Sequence, residues 1–131
     1  MIAGGVAHRY PKLKFVAAEF NTGWVANWLE RVDHSVYRSR KSVPEYLDMK
    51  PSEYWRRQFY VTFEDDRPGM LTRDSIGVET MMWGNDFPHH DSVWPHSQEV
   101  LEMVFEGMPD DVRQTTTVDN VARLYSLSVP E

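Results

Sequence analysis

The sequence predicts an α/β fold with parallel strands joined by crossover helices. Two observations carry this. Three short runs rich in apolar, aromatic or β-branched residues, 13–18, 59–63 and 79–83, read as strands. Helical periodicity fills the intervals between and after them, and that alternation favours parallel pairing through helical crossovers. Three parallel strands leave two unpaired sheet edges. The sequence therefore reads as part of a larger α/β layer.

Residues 2–9 have the character of a helix end, closed by Tyr10-Pro11. The element begins almost at Met1, which hints at truncation. Leu13 to Ala18 contains the unbroken apolar run Phe15-Val16-Ala17-Ala18, as expected for a strand covered on both faces. Asn21-Thr22-Gly23 breaks the chain and offers helix caps. From Trp24 to about Lys41 the residues Trp28, Leu29, Val32 and Val36 draw one apolar stripe, with Arg38, Arg40 and Lys41 as a solvated end. Lys50-Pro51-Ser52-Glu53 opens a short helical turn.

Phe59 to Phe63 is the second strand, and Glu64 to Gly69, with its Pro-Gly pair, reads as a loop. Leu71 to Ile76 allows one or two helical turns before the third strand, Glu79 to Trp83. A long loop, 84–94, leads to a helix from Pro95 to about Glu106, with Gly107 as its C-cap. Pro109-Asp110-Asp111 starts another short helix, its acids at the positive end of the helix dipole. A last helix, 118–126, packs Val121, Leu124 and Tyr125.

Composition narrows the function. The 131 residues, 41% hydrophobic and 13% aromatic, are globular and suit one domain spanning 1–131. A net charge of −6 argues against an electrostatic grip on nucleic acid or anionic membrane. The absence of cysteine excludes disulfides, zinc fingers and a thiol nucleophile. No apolar run approaches transmembrane length and the N-terminus lacks a signal-peptide pattern, so the expected location is cytoplasmic. Neither a Gly-rich phosphate loop nor a G-x-S-x-G elbow is present.

Parallel strands gather chemistry at their C-terminal ends. Glu19, Phe20 and Asn21 follow the first strand; Glu64, Asp65 and Asp66 the second; Asp86, His89, His90 and Asp91 the third. All should share one rim, where acids and histidines suit metal binding or acid–base work. Each also has a plainer reading. Glu64-Asp65-Asp66 reads most simply as a solvated loop, Glu19 as a structural ion pair, Asp86 as a turn residue, and His89-His90 as a half-exposed loop pair. His8, His34 and His96 read as surface or packing histidines. Asp86, His89 and His90 alone make a poor ligand set, because adjacent side chains diverge from one backbone.

Four blocks carry a resemblance. GGVAHRYPKLKFVAAEFNTGWVANWLERVDH (4–34) is similar to the segment around the sixth strand of the amidohydrolase 2 family. KPSEYWRRQFYVTFEDD (50–66) resembles its seventh strand, MMWGNDFPHHDSVWPHS (81–97) its eighth strand and loop, and VDNVARLYSL (118–127) its closing helix. These blocks run in the family's order over nearly the whole chain. The resemblance implies a partial (β/α)8 TIM barrel, about the last three βα units of a metal-dependent hydrolase or non-oxidative decarboxylase related to aminocarboxymuconate-semialdehyde decarboxylase. The implied substrate is a small carboxylated or cyclic molecule.

Carried over residue by residue, the resemblance makes Asp86 the metal-ligand aspartate at the end of the eighth strand. Glu19 stands where the decarboxylase branch has a histidine that moves protons, and is given the same acid–base role. His89 becomes a substrate contact or a support behind the metal ligands. The family's first-strand ligand pair and fifth-strand histidine have no counterpart here. A divalent metal, zinc first, is thus expected in the intact barrel, with none held tightly by this chain alone. Its expected partner is a second copy or the missing N-terminal half. A non-catalytic half-barrel module that self-associates is the alternative reading.

Overall fold

The computed structural model describes residues 1–38 and 45–129. Its centre is a three-stranded parallel sheet in the order β1-β2-β3, formed by Phe15–Ala17, Phe59–Phe63 and Met81–Trp83. The expected parallel arrangement is present. Phe15 pairs with Phe59 and Ala17 with Val61; Val61 pairs with Met81 and Phe63 with Trp83. Strand alternation places these residues on one face of the sheet.

That face carries the main core. Val61, Phe63 and Met81 join Val25, Leu29, Trp55, Met70, Ile76, Leu101, Val104 and Phe105 in one buried cluster. The register partners Phe15 and Phe59 stack at 4.6 Å between centroids, and Trp55 stacks on Phe59 at 5.5 Å. The opposite face holds Val16, Tyr60, Thr62 and Met82. Val16 is 39% exposed, so the expectation that the first strand is covered on both faces does not hold here. Val16 lies on the face opposite the main core, at the β1 edge of the sheet.

Around the sheet lie α1 (Val6–Arg9), α2 (Gly23–Arg38), α3 (Pro51–Gln58), α4 (Arg67–Leu71), α5 (Arg73–Ile76) and α6 (Ser97–Val104). α2 begins one residue before Trp24, and the expected end of this helix at Arg40 and Lys41 lies outside the described residues. Glu53 accepts a hydrogen bond from the Lys50 amide at 2.7 Å, closing the first turn of α3. Asp33 of α2 accepts from both the amide and the hydroxyl of Ser52, so α2 and α3 are joined side by side.

Two buried amide side chains fasten the strand entries. The Gln58 Nε2 donates to the carbonyls of Tyr10 and Leu13, fixing the approach to β1. The Asn120 Nδ2 donates to those of Val78 and Met81, fixing the approach to β3. Both side chains are fully buried, and each turns a desolvation cost into satisfied backbone acceptors.

Several expected elements shift. The 64–69 loop is interrupted by α4, which starts at Arg67 with Asp66 as N-cap. The third strand is preceded by a 3-10 turn, Val78–Thr80, instead of starting at Glu79. α6 starts at Ser97, after the cis peptide bonds Phe87–Pro88 and Trp94–Pro95, and is closed by Phe105; Gly107 supplies a positive φ in the following turn. The two expected final helices are continuous. Asp110–Gln114 (α7), a π-helical stretch Thr115–Asp119 and Asn120–Tyr125 (α8) follow one another with helical backbone at their junctions.

Candidate metal and acid–base site

The loops leaving β1 and β3 at their C-terminal ends bring Glu19, Asp86 and His89 together. One potential ligand atom from each lies within 4.8 Å of the other two. The His89 Nδ1 is 2.8 Å from the Asp86 Oδ2 and 3.9 Å from the Glu19 Oε2. The Asp86 side chain is only 10% exposed, whereas those of His89 and Glu19 are 69% and 56% exposed. One shielded carboxylate thus forms the base of an open cluster.

Backbone geometry aims these groups. Glu19 (φ 64°), Asn21 (φ 50°) and Asp86 (φ 54°) all occupy the left-handed region, which disfavours residues other than glycine. Asn21 and Asp86 tolerate this conformation; Glu19 holds it because local hydrogen bonds overdetermine its loop. The Glu19 amide donates to the Thr62 Oγ1 at 2.8 Å, and the Glu64 amide donates to the Asn21 Oδ1 at 3.1 Å. The loop after β3 folds on Asn85, whose side chain accepts from the Phe87 amide and whose carbonyl accepts from the Val93 amide. The His89 amide returns to the Asp86 carbonyl at 2.8 Å, which closes the turn carrying both side chains.

The field at this rim is negative. Hydrogen bonding to Asp86, followed by the charges of Asp86 and Glu19, raises the His89 pKa and favours the imidazolium. Burial, followed by the charges of Asp86, Asp91, Asp65 and Glu19, raises the Glu64 pKa. The two carboxylates, Glu19 and Asp86, are donors that suit a divalent metal.

All three residues singled out from the sequence therefore meet, and Glu64 lies close enough to feel them. Among the described residues His90 joins no metal-binding group. The solvated-loop reading of Asp66 is overturned, since Asp66 is 6% exposed and hydrogen-bonded to the starts of two helices. Sequence reasoning passed over Thr62 and Asp66 as supports. The available signal was Asp66-Arg67-Pro68, an N-cap followed by Pro in the first turn.

A family profile described as Amidohydrolase matches residues 1–127. The chain belongs to the amidohydrolase 2 family. Among solved structures, it resembles an amidohydrolase from Mycobacterium avium subsp. paratuberculosis K-10, with 26% identity and a TM-score of 0.75 over 95% of this chain and 31% of that one. It also resembles 5-carboxyvanillate decarboxylase from Sphingomonas paucimobilis, with 26% identity and a TM-score of 0.80 over 98% of this chain and 38% of that one. A dihydroxybenzoic acid decarboxylase from Polaromonas sp. JS666, solved with manganese and 2-nitroresorcinol, shares the fold at 19% identity and a TM-score of 0.76, over 98% of this chain and 38% of that one. The chain thus spans under two fifths of the length of these structures. No curated protein matches it. Among the described residues no helix is long and apolar enough to cross a membrane.

Proposed function

We propose that this chain forms the last three βα units of a (β/α)8 barrel whose whole is a metal-dependent hydrolase or non-oxidative decarboxylase. The observation that carries the reading is the meeting of Glu19, Asp86 and His89 at the C-terminal ends of parallel strands. The substrate is a small carboxylated or cyclic molecule, in keeping with the decarboxylases among the structural neighbours.

In this reading Asp86 is a metal ligand: its carboxylate is shielded and preset by the turn to His89. A divalent metal held there, zinc or manganese, would supply Lewis-acid polarisation of a substrate oxygen. Glu19 exchanges a proton with the substrate from its exposed position across the cluster. His89, its pKa raised by the Asp86 hydrogen bond and the neighbouring carboxylates, contacts and orients the substrate. The remaining metal ligands and the covering of the sheet edges come from an N-terminal half or, for the isolated chain, in part from a second copy.

The test is a pair of zinc and manganese titrations. One uses this chain; the other uses a full-length barrel built with the N-terminal half of a relative; both are repeated with Asp86→Ala. The chain alone should bind weakly, because a catalytic site takes about three protein ligands and only part of that set is present. The full barrel should bind tightly and turn over substrate. In the full barrel Asp86→Ala should cost more than the about 10–100-fold in metal affinity typical of losing an outer hydrogen-bond partner. Tight stoichiometric metal in the isolated chain would overturn the fragment reading. Full-length binding indifferent to Asp86→Ala would overturn the role of Asp86.

A further inference from the structure

We propose that Thr62 and Asp66 are positioning residues that set Glu19 against Asp86 and His89. The proposal rests on the reading of these three as the functional site, but its basis is a separate set of contacts. β2 and its continuation meet the loop after β1 at three successive alternate residues. The Thr62 Oγ1 accepts from the Glu19 amide at 2.8 Å. Two residues on, the Glu64 amide donates to the Asn21 Oδ1 at 3.1 Å. Two residues further, the Asp66 Oδ2 accepts from the Thr22 hydroxyl at 2.8 Å, the Gly23 amide at 2.7 Å and the Thr22 amide.

The second Asp66 oxygen is committed elsewhere. Its Oδ1 accepts from the Gly69 amide at 2.9 Å, inside the first turn of α4. One buried carboxylate therefore ties the start of α2 to the start of α4, with an oxygen assigned to each. The packing leaves no slack. A Cβ on Gly69 would lie 1.9 Å from the Thr22 Oγ1, and one on Gly23 would lie 3.3 Å from the Asp66 Oδ1. Thr22 is fully buried.

Between these fixed points the chain has few ways to run from Ala17 to Thr22. It adopts a left-handed backbone at both Glu19 and Asn21, a conformation that Asn tolerates but Glu disfavours. The clamp is what keeps it, and the consequence is the direction of the Glu19 side chain. Capping α2 alone would require only the Asp66 bonds. The added Thr62 bond acts on the Glu19 amide itself, and its distinguishable effect is on where that carboxylate stands.

Two readouts separate positioning from general stability. Amide hydrogen exchange is followed residue by residue in the full chain, and Mn2+ binding is followed by EPR at up to millimolar metal. The variants are Thr62→Val, Asp66→Asn, Glu19→Gln and the double variant Thr62→Val with Glu19→Gln. Ile76→Val serves as a core control outside the clamp. In Thr62→Val, exchange should quicken at residues 19–23 while amides of β2 and β3 keep their protection. Mn2+ affinity should fall about tenfold, the scale of an outer partner of a metal site. The double variant should bind no more weakly than Glu19→Gln, because both changes act through one carboxylate. Ile76→Val should lower the melting temperature and leave Mn2+ affinity unchanged. If Asp66→Asn fails to fold, Thr62→Val decides. Unchanged exchange at residues 19–23 in Thr62→Val, or additive losses in the double variant, would overturn the proposal. If the parent chain takes up no Mn2+ at all, as a site with only part of its ligand set allows, the exchange data alone support or overturn the positioning role.

Discussion

Glu64 shows how one side chain can record the state of the whole rim. Its carboxyl is raised first by burial and then by the charges of Asp86, Asp91, Asp65 and Glu19, so the folded protein binds its proton more tightly than the unfolded chain does. A raised folded pKa contributes stability that is complete below the unfolded value and lost as pH rises through the folded one. Stability tied to this carboxyl is therefore lost as pH rises through its folded pKa. Glu64→Gln should therefore raise the melting temperature more at neutral pH than in acid below the ordinary carboxylate range. An equal gain at both pH values would show that charge is not the cause. His89 provides the complementary measurement. Its ring should titrate above the ordinary histidine value by NMR, and Asp86→Asn should move it down, because the Asp86 hydrogen bond is the largest cause of the shift. Of this site, Glu19, Asp86 and His89 were legible in the sequence through strand order and family resemblance. Thr62 and Asp66 were not, because a hydroxyl on a strand and an acid in an acidic run look the same whether they face solvent or another loop. Burial distinguishes them, and burial here depends on contacts 43 and 44 residues apart in the chain.

At the scale of elements, periodicity located every strand and the long helices, and boundaries moved where a local bond outweighed pattern. α4 is the clearest case. Pro68-Gly69 signals a turn, yet the Asp66 cap and the tight seat of Gly69 against Thr22 make it the first turn of a helix. Glycine is required there for space, not for φ. Gly69→Ala would place a methyl group 1.9 Å from the Thr22 Oγ1 and 2.3 Å from the Asp66 Oδ2. It should destabilise the protein by about 2 kcal/mol, within the usual range for overpacking, and shift the urea midpoint accordingly. Gly84→Ala is the matched control: a Cβ there meets nothing within 4 Å, so its effect should stay within about 0.5 kcal/mol. Comparable losses in both would mean that the clamp is looser than these contacts imply. The join of α7 to α8 was invisible in sequence for a different reason. Thr115, Thr116 and Thr117 are poor helix formers, but the Thr116 and Thr117 hydroxyls bond back to carbonyls of the preceding turn. The helix continues through them as a π-helical stretch.

On the scale of the whole molecule, the question is what covers the sheet. β1 and β3 each have an outer edge unpaired among the described residues, and Val16 on β1 is 39% exposed. The rim adds Phe20 and the edge-to-face pair Phe87 and Trp94, all more than half exposed, the pair at 5.0 Å between centroids. Against association stands a net charge of −6. Screening decides between these forces. At physiological salt the Debye length is about 8 Å, so most of the repulsion between two copies is damped, whereas each large apolar side chain removed from water gains roughly 1.5–3 kcal/mol. Open strand edges add backbone donors and acceptors that favour another strand. The isolated chain should therefore sediment as a dimer or larger species at high micromolar concentration, and more so as salt is raised. Val16→Lys, which puts a charge on the exposed face of an edge strand, should shift the population toward monomer. Co-expression with the N-terminal half of a related barrel should do the same by covering both edges in a one-to-one complex. A compact monomer across the whole concentration range, with Val16→Lys indistinguishable from the parent chain, would mean that the sheet needs neither a second copy nor further strands, and the half-barrel reading would fall with it.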